Sequence, residues 1–127
     1  MLFIDVIRLK QINAQHGRSA GDDVLLQVVR DTRFELRVAD ILFRYGSHEF
    51  VAFLQTTDSD TANAVAHKIR QRIREHPVVI PPDTVITIEV TVTCVYAPRD
   101  GKSLRDLMLA ARARCARRPS REGARVH

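Results

Sequence analysis

The sequence predicts an α+β domain, a central and mostly antiparallel sheet with helices packed on it, in the order β-α-α-β-β-α-β-β-α. Short apolar runs at residues 1–7, 41–45 and 50–54 alternate with longer stretches whose apolar residues recur every three or four positions. Residues 84–95 alternate at a period of two. At 127 residues the chain fits one domain that buries roughly two thirds of its unfolded surface.

Residues 1–7 (MLFIDVI) read as a buried strand interrupted only by Asp5. An unpaired carboxylate there would cost several kcal/mol, so Asp5 points to function. Residues 8–15 carry Leu9 and Ile12 three apart and stop at Gly17, which predicts a short helix with a glycine end signal. Ser19 or Gly21 opens a longer helix, with Leu25, Val28, Val29, Thr32 and Leu36 on its core face. The runs 41–45 and 50–54 form a hairpin whose four-residue tip, Gly46-Ser47-His48-Glu49, is polar and exposed.

Residues 57–60 (TDSD) are a capping cluster, and Ala62, Val65, Ala66, Ile69 and Ile73 mark the helix that follows and ends before Pro77. Residues 77–80 read as a short edge strand. In the alternating strand 84–95, Ile86, Ile88, Val90, Val92 and Cys94 pack, while Thr87, Glu89, Thr91 and Thr93 meet polar surroundings. After the turn 98–101, Ser103 with Asp106 resembles a capping box, and the last helix carries Leu104, Leu107, Met108 and Ala111 until Pro119.

The net charge of +5 suggests an anionic partner, but its distribution narrows the choice. Residues 1–111 hold 14 basic and 14 acidic side chains, so the excess belongs to the last helix and tail. A nucleic-acid face is therefore not expected. No apolar run approaches the roughly 18 residues that span a bilayer, and Asp5 and Arg8 exclude a secretory signal at the start, so the expected location is cytoplasmic with no membrane insertion. Cys94 and Cys115 are expected as free thiols, and the five histidines show no ligand spacing.

Three segments together resemble the GGDEF family, the diguanylate cyclase domains that condense two GTP into cyclic di-GMP. Residues 3–13 (FIDVIRLKQIN) are similar to F-x-D-x-D-x-F-K-x-x-N, Gly17 with Gly21-Asp22 matches the glycine–GD element that follows, and residues 44–50 (RYGSHEF) stand at R-x-GGDEF. The resemblance covers nearly the whole chain and lacks the family's leading D-x-L-T-x-L segment. It implies a fold like that of nucleotide cyclases and polymerase palms, with a GGDEF-like domain over residues 1–118 and a basic tail or linker over 119–127.

Carried over residue by residue, the resemblance implies that Asp5 and the Val6 backbone hold Mg²⁺ or Mn²⁺ when nucleotide is bound. Glu49 and His48 stand at the catalytic acids. Lys10, Gly46, Ser47 and Arg118, assisted by Arg121, would contact phosphate, and Asn13 and Asp22 would bond the guanine edge. Arg37 and Asp40 resemble the R-x-x-D inhibitory site for cyclic di-GMP. Read without the resemblance, Asn13 and Asp22 are helix caps, Lys10 and Arg118 solvated helix residues, and Arg37–Asp40 a surface ion pair.

The departures fall on the chemistry. The second strand acid is Ile7, the second hairpin glycine Ser47 and the hairpin's first acid His48, and imidazole suits Zn²⁺ or Mn²⁺ better than Mg²⁺. Val95 replaces the glycine that usually ends the long strand, and residues 111–115 depart from the family's Ala-Asp and Leu-Tyr. The expectation is a degenerate GGDEF domain that binds guanine nucleotide, turns it over weakly or not at all, and regulates a larger protein carrying an EAL or sensory domain. The alternatives are an active diguanylate cyclase working as a homodimer and a dimerisation scaffold that binds no nucleotide.

Overall fold

The computed structural model describes residues 1–55 and 58–116. They run β1 (Leu2–Val6), α1 (Leu9–His16), α2 (Arg18–Glu35), β2 (Ile41–Arg44), β3 (Glu49–Phe53), α3 (Ser59–Glu75), β4 (Val78–Ile80), β5 (Thr84–Ile86), β6 (Val90–Cys94) and α4 (Leu104–Ala116). The main sheet has the order β2-β3-β1-β6 with every pair antiparallel, and β4 and β5 form a separate antiparallel pair. The α+β class and the antiparallel sheet are those the sequence predicts.

The pleat of β1 divides the interior. Leu2, Ile4 and Val6 join the larger core with Val24 and Val28 of α2 and Ile69 and Ile73 of α3. Phe3 joins Val51, Val95, Leu107, Met108 and Ala111 beneath α4 on the opposite face. Helices on both faces explain why residues 1–7 read as continuously apolar, and each such side chain contributes about 1.5–3 kcal/mol by burial.

Four details differ from the sequence reading. The single strand over 84–95 is two strands, because β5 pairs with β4 while β6 pairs with β1. The backbone between them turns inward, and the Glu89 carbonyl accepts from the Ile7 N–H at 2.9 Å. The side of β6 expected to meet polar surroundings is covered, with Thr91 and Thr93 buried. Helix α2 opens directly after Gly17, ahead of Ser19 and Gly21, and Leu104 is 41% exposed.

The caps follow local chemistry. The Asp58 carboxylate accepts from the Thr61 N–H at 2.8 Å, and that bond holds its carboxyl below the ordinary value. Ser103 Oγ accepts from the Asp106 N–H at 3.1 Å at the start of α4. Pro119, Thr57 and the 118/119 boundary lie outside the described residues. Among the described residues both cysteines are free thiols, and no helix is long and apolar enough to cross a membrane.

Candidate functional site

The register of β1 against β3 sets Asp5 opposite Glu49. Directly opposed residues of an antiparallel pair point to the same face, so the two carboxylates share the face that α4 covers. The hairpin tip is tied to β1, because the Val6 N–H donates to the His48 carbonyl at 2.9 Å. Arg44 braces the tip from below, donating to the Gly46 carbonyl at 3.0 Å and the Ser47 carbonyl at 2.6 Å.

A cleft of about 620 Å³ opens between this hairpin and the α1–α2 turn. It is lined by Asp5, Val6, Lys10, Asn13, Asp22, Ser47 and His48. Seven residues singled out from sequence, from three separate stretches, thus meet on one surface. Arg8, Arg18 and Arg44 line it too, three cations without an assigned role in the sequence. With Lys10 they outnumber Asp5 and Asp22, so the cleft carries a positive excess suited to an anion.

The α1–α2 end is set by close approach. A Cβ on buried Gly21 would lie 1.7 Å from Asn13 Oδ1, so glycine here lets the Asn13 amide keep its place against α2. Asp22, the next residue, is exposed beside it. Arg8 precedes α1 in the left-handed region at φ 63°, a conformation that costs a non-glycine residue about 1 kcal/mol or more. Its guanidinium is held by Glu89 at 2.6 Å.

The hairpin end is arranged differently. Asp5, His48 and Glu49 bring one possible ligand atom each within 4.8 Å of one another. Both Glu49 oxygens, however, face Arg112 of α4: Nη2 donates to Oε1 at 3.1 Å and Nη1 lies 3.1 Å from Oε2. His48 Nε2 faces Asp5 Oδ1 at 3.4 Å, while its Nδ1 shares a hydrogen bond with Ser47 Oγ at 3.0 Å. A hard divalent ion such as Mg²⁺ needs open carboxylate oxygen, and here one carboxylate is forked by a guanidinium and the other faces an imidazole. The residues as arranged do not fit Mg²⁺.

Glu49 is the one buried member of the expected tip, and Gly46 is half-buried; Glu49 is the first residue of β3. Gly46 makes room for it, since a Cβ there would lie 2.5 Å from Glu49 Oε1. Neither Gly46 nor Glu49 lines the cleft directly. Arg112 went unnoticed in the sequence. Its place at the edge of the packed stripe is legible, since it follows Ala111 and lies four residues after Met108, but its pairing with Glu49 is not.

Helix α4 is pinned a second time two residues on. Arg114 Nη2 donates to Asp100 Oδ1 at 3.1 Å, and Nη1 donates to the Cys94 carbonyl. The Arg114 bond to Asp100, and after it one from the Tyr96 N–H at 2.8 Å, hold the Asp100 carboxyl below its ordinary value. Partial burial pushes the neighbouring Tyr96 hydroxyl up.

Arg37 and Asp40 lie away from the cleft, in the turn between α2 and β2. The Arg37 N–H donates to Asp40 Oδ2 at 2.8 Å, the Gln55 N–H donates to Oδ1 at 3.0 Å, and Arg37 Nη2 donates to the Gln55 carbonyl at 2.8 Å. The pair therefore ties this turn to the end of β3. Arg118 and Arg121 lie outside the described residues.

Comparison with known proteins agrees with the geometry. The family described as diguanylate cyclase, GGDEF domain, matches residues 1–123. Diguanylate cyclase A of Treponema denticola is 35% identical over 94 residues, 73% of this chain and 25% of the relative. Diguanylate cyclase DgcM of Escherichia coli is 37% identical over 90 residues, 71% of this chain and 22% of the relative. The chain thus spans about a quarter of the length of these curated relatives. The crystal structure of an EAL/GGDEF domain protein from M. capsulatus superposes with a TM-score of 0.83 at 28% identity, covering 94% of this chain and 77% of that one. The chain belongs to the GGDEF family, the diguanylate cyclase domains of cyclic di-GMP signalling.

Proposed function

We propose that this domain is a guanine-nucleotide-binding regulatory module whose cyclase chemistry is weak or absent. The single observation that carries the reading is the division of the cleft. Lys10, Asn13 and Asp22 gather at one end, while at the other His48 stands against Asp5 and, behind the lining, both oxygens of Glu49 are held by Arg112. Asp22 can accept from the ring and exocyclic N–H groups of guanine, Asn13 can both donate and accept, and the basic lining suits a polyphosphate. Of the acids that nucleotidyl transfer would need, Glu49 is committed to Arg112 and Asp5 faces an imidazole at 3.4 Å. Mg²⁺ or Mn²⁺ would be required for turnover, and of the two Mn²⁺ tolerates imidazole better.

The test uses the chain with GTP and either metal, following GTP binding by calorimetry and cyclic di-GMP by chromatography. Micromolar binding with little product is expected. Robust synthesis overturns the regulatory reading in favour of an active cyclase, and no GTP binding leaves only a scaffold.

Product binding at Arg37 and Asp40 belongs to the same proposal, with the Arg37 guanidinium more than half exposed and able to fork onto guanine or phosphate. Asp40 would have to exchange its backbone partners for the base. Calorimetry with cyclic di-GMP on wild type and Arg37→Ala tests it; equal affinity, or none in either, removes the site. Residues 1–118 would then be the folded module, and 119–127 the lead into an EAL or sensory domain of a longer protein.

A further inference from the structure

We propose that Arg112 is the resident cation of the acidic site, a guanidinium that takes the place of a divalent ion at Glu49 and keeps that ion out while α4 is seated. Glu49 is nearly buried, so its charge cannot be left to water and needs a partner within the protein. Arg112 supplies it with two N–H groups at 3.1 Å, the fork that matches a carboxylate. The guanidinium also lies 5.7 Å from the Phe3 ring and 5.6 Å from the Tyr45 ring, whose faces favour a cation there. Its helix is held by buried Leu107, Met108 and Ala111 and by the Arg114–Asp100 pair.

The consequence is a competition. An ion drawn to Asp5 and His48 would meet the positive charge of Arg112 at the third ligand, and it gains Glu49 only if Arg112 gives that carboxylate up. Cation binding and the seating of α4 then oppose each other, so whatever shifts α4 changes the affinity for metal. This rests on the proposed reading only in taking the Asp5 end as the end where a cation would act; it does not depend on nucleotide binding.

The test is Mn²⁺ alone, titrated by electron paramagnetic resonance into wild type, Arg112→Met, which keeps an aliphatic stem beside Phe3 and Tyr45, and Arg112→Lys, which keeps the charge. Arg112→Met should bind one Mn²⁺ at least about tenfold more tightly than wild type, and Arg112→Lys within about threefold of it. Adding Asp5→Asn to Arg112→Met should abolish the gain. Equal affinity in wild type and Arg112→Met, or a gain that survives Asp5→Asn, overturns the proposal. So does wild-type protein that binds Mn²⁺ more tightly than about 10 μM, a result that needs no variant to fold. GTP titrated without metal into the same proteins separates the two readings: loss of GTP binding with the Mn²⁺ gain intact removes the guanine reading and leaves Arg112 standing.

Discussion

The two ends of one cleft are built on opposite terms. At the α1–α2 end, Lys10, Asn13 and Asp22 are exposed on helices where Gly21 leaves room for the Asn13 amide. At the hairpin end, Glu49 is nearly buried and paired, and Asp5 faces His48. The first end offers polar groups to a ligand, and the second has turned its polar groups toward the protein. On the proposed reading, the difference teaches that a site can keep the surface that recognises a molecule while the groups that would transform it become part of the fold.

Gly21→Val breaks the comparison most severely, because a side chain must occupy space held by the Asn13 amide. The amide is the exposed end of a flexible side chain and should be pushed aside, at a stability cost of about 1 kcal/mol or less, while GTP affinity falls more than about tenfold. Denaturant unfolding and calorimetry read the two effects. Unchanged GTP affinity in a folded variant would mean that Asn13 does not touch the nucleotide.

Asp22→Ala isolates recognition from packing. Asp22 is exposed, so stability should hardly change, while GTP affinity should fall about 10- to 100-fold, the scale of a lost hydrogen-bond pair to a charged group. ATP, which lacks the guanine donors, should bind wild type and variant alike. Glu49→Gln, by contrast, should leave GTP affinity within about threefold. Equal losses from both variants would erase the division between the two ends.

These ends were legible in the sequence to different degrees. Asn13, Gly21 and Asp22 act within about ten residues of one another on consecutive helices, so local spacing carries their relation. Asp5 announced itself as a charge in an apolar strand. Arg112 lies 63 residues from Glu49, and nothing in either neighbourhood reveals the other. The same limit explains residues 84–95, whose alternation is regular although the strand changes partners midway: periodicity separates the apolar side from the polar one and is silent on which strand or helix lies against either. Thr91 and Thr93 read as polar-facing for the same reason, since α4 arrives from a later part of the chain.

A smaller effect measures the hairpin end directly. In a double-mutant cycle with Glu49→Gln and Arg112→Met, denaturant unfolding should give a coupling of about 1 kcal/mol, more than an exposed pair because the geometry is bidentate and Glu49 is nearly buried. Coupling near zero would mean that the pair is incidental and that the two ends are alike in leaving their charges available.

The smallest effect concerns the anchor that seats α4. Asp100 has its carboxyl held below the ordinary value, first by Arg114 and then by the Tyr96 N–H. A depressed folded-state value means that the stabilisation is complete above the unfolded carboxyl value near 4 and is lost as pH falls through the lower folded value. Wild type should therefore be more stable than Asp100→Asn at pH 7, by less than about 1 kcal/mol, with the gap closing below about pH 4. Hydrogen exchange should report that loss first in α4, ahead of α1 and α2, because only α4 depends on Arg114. If α1 and α2 loosen together with α4, the hairpin end has no separate anchor, and the competition between Arg112 and a cation cannot be tuned by moving one helix.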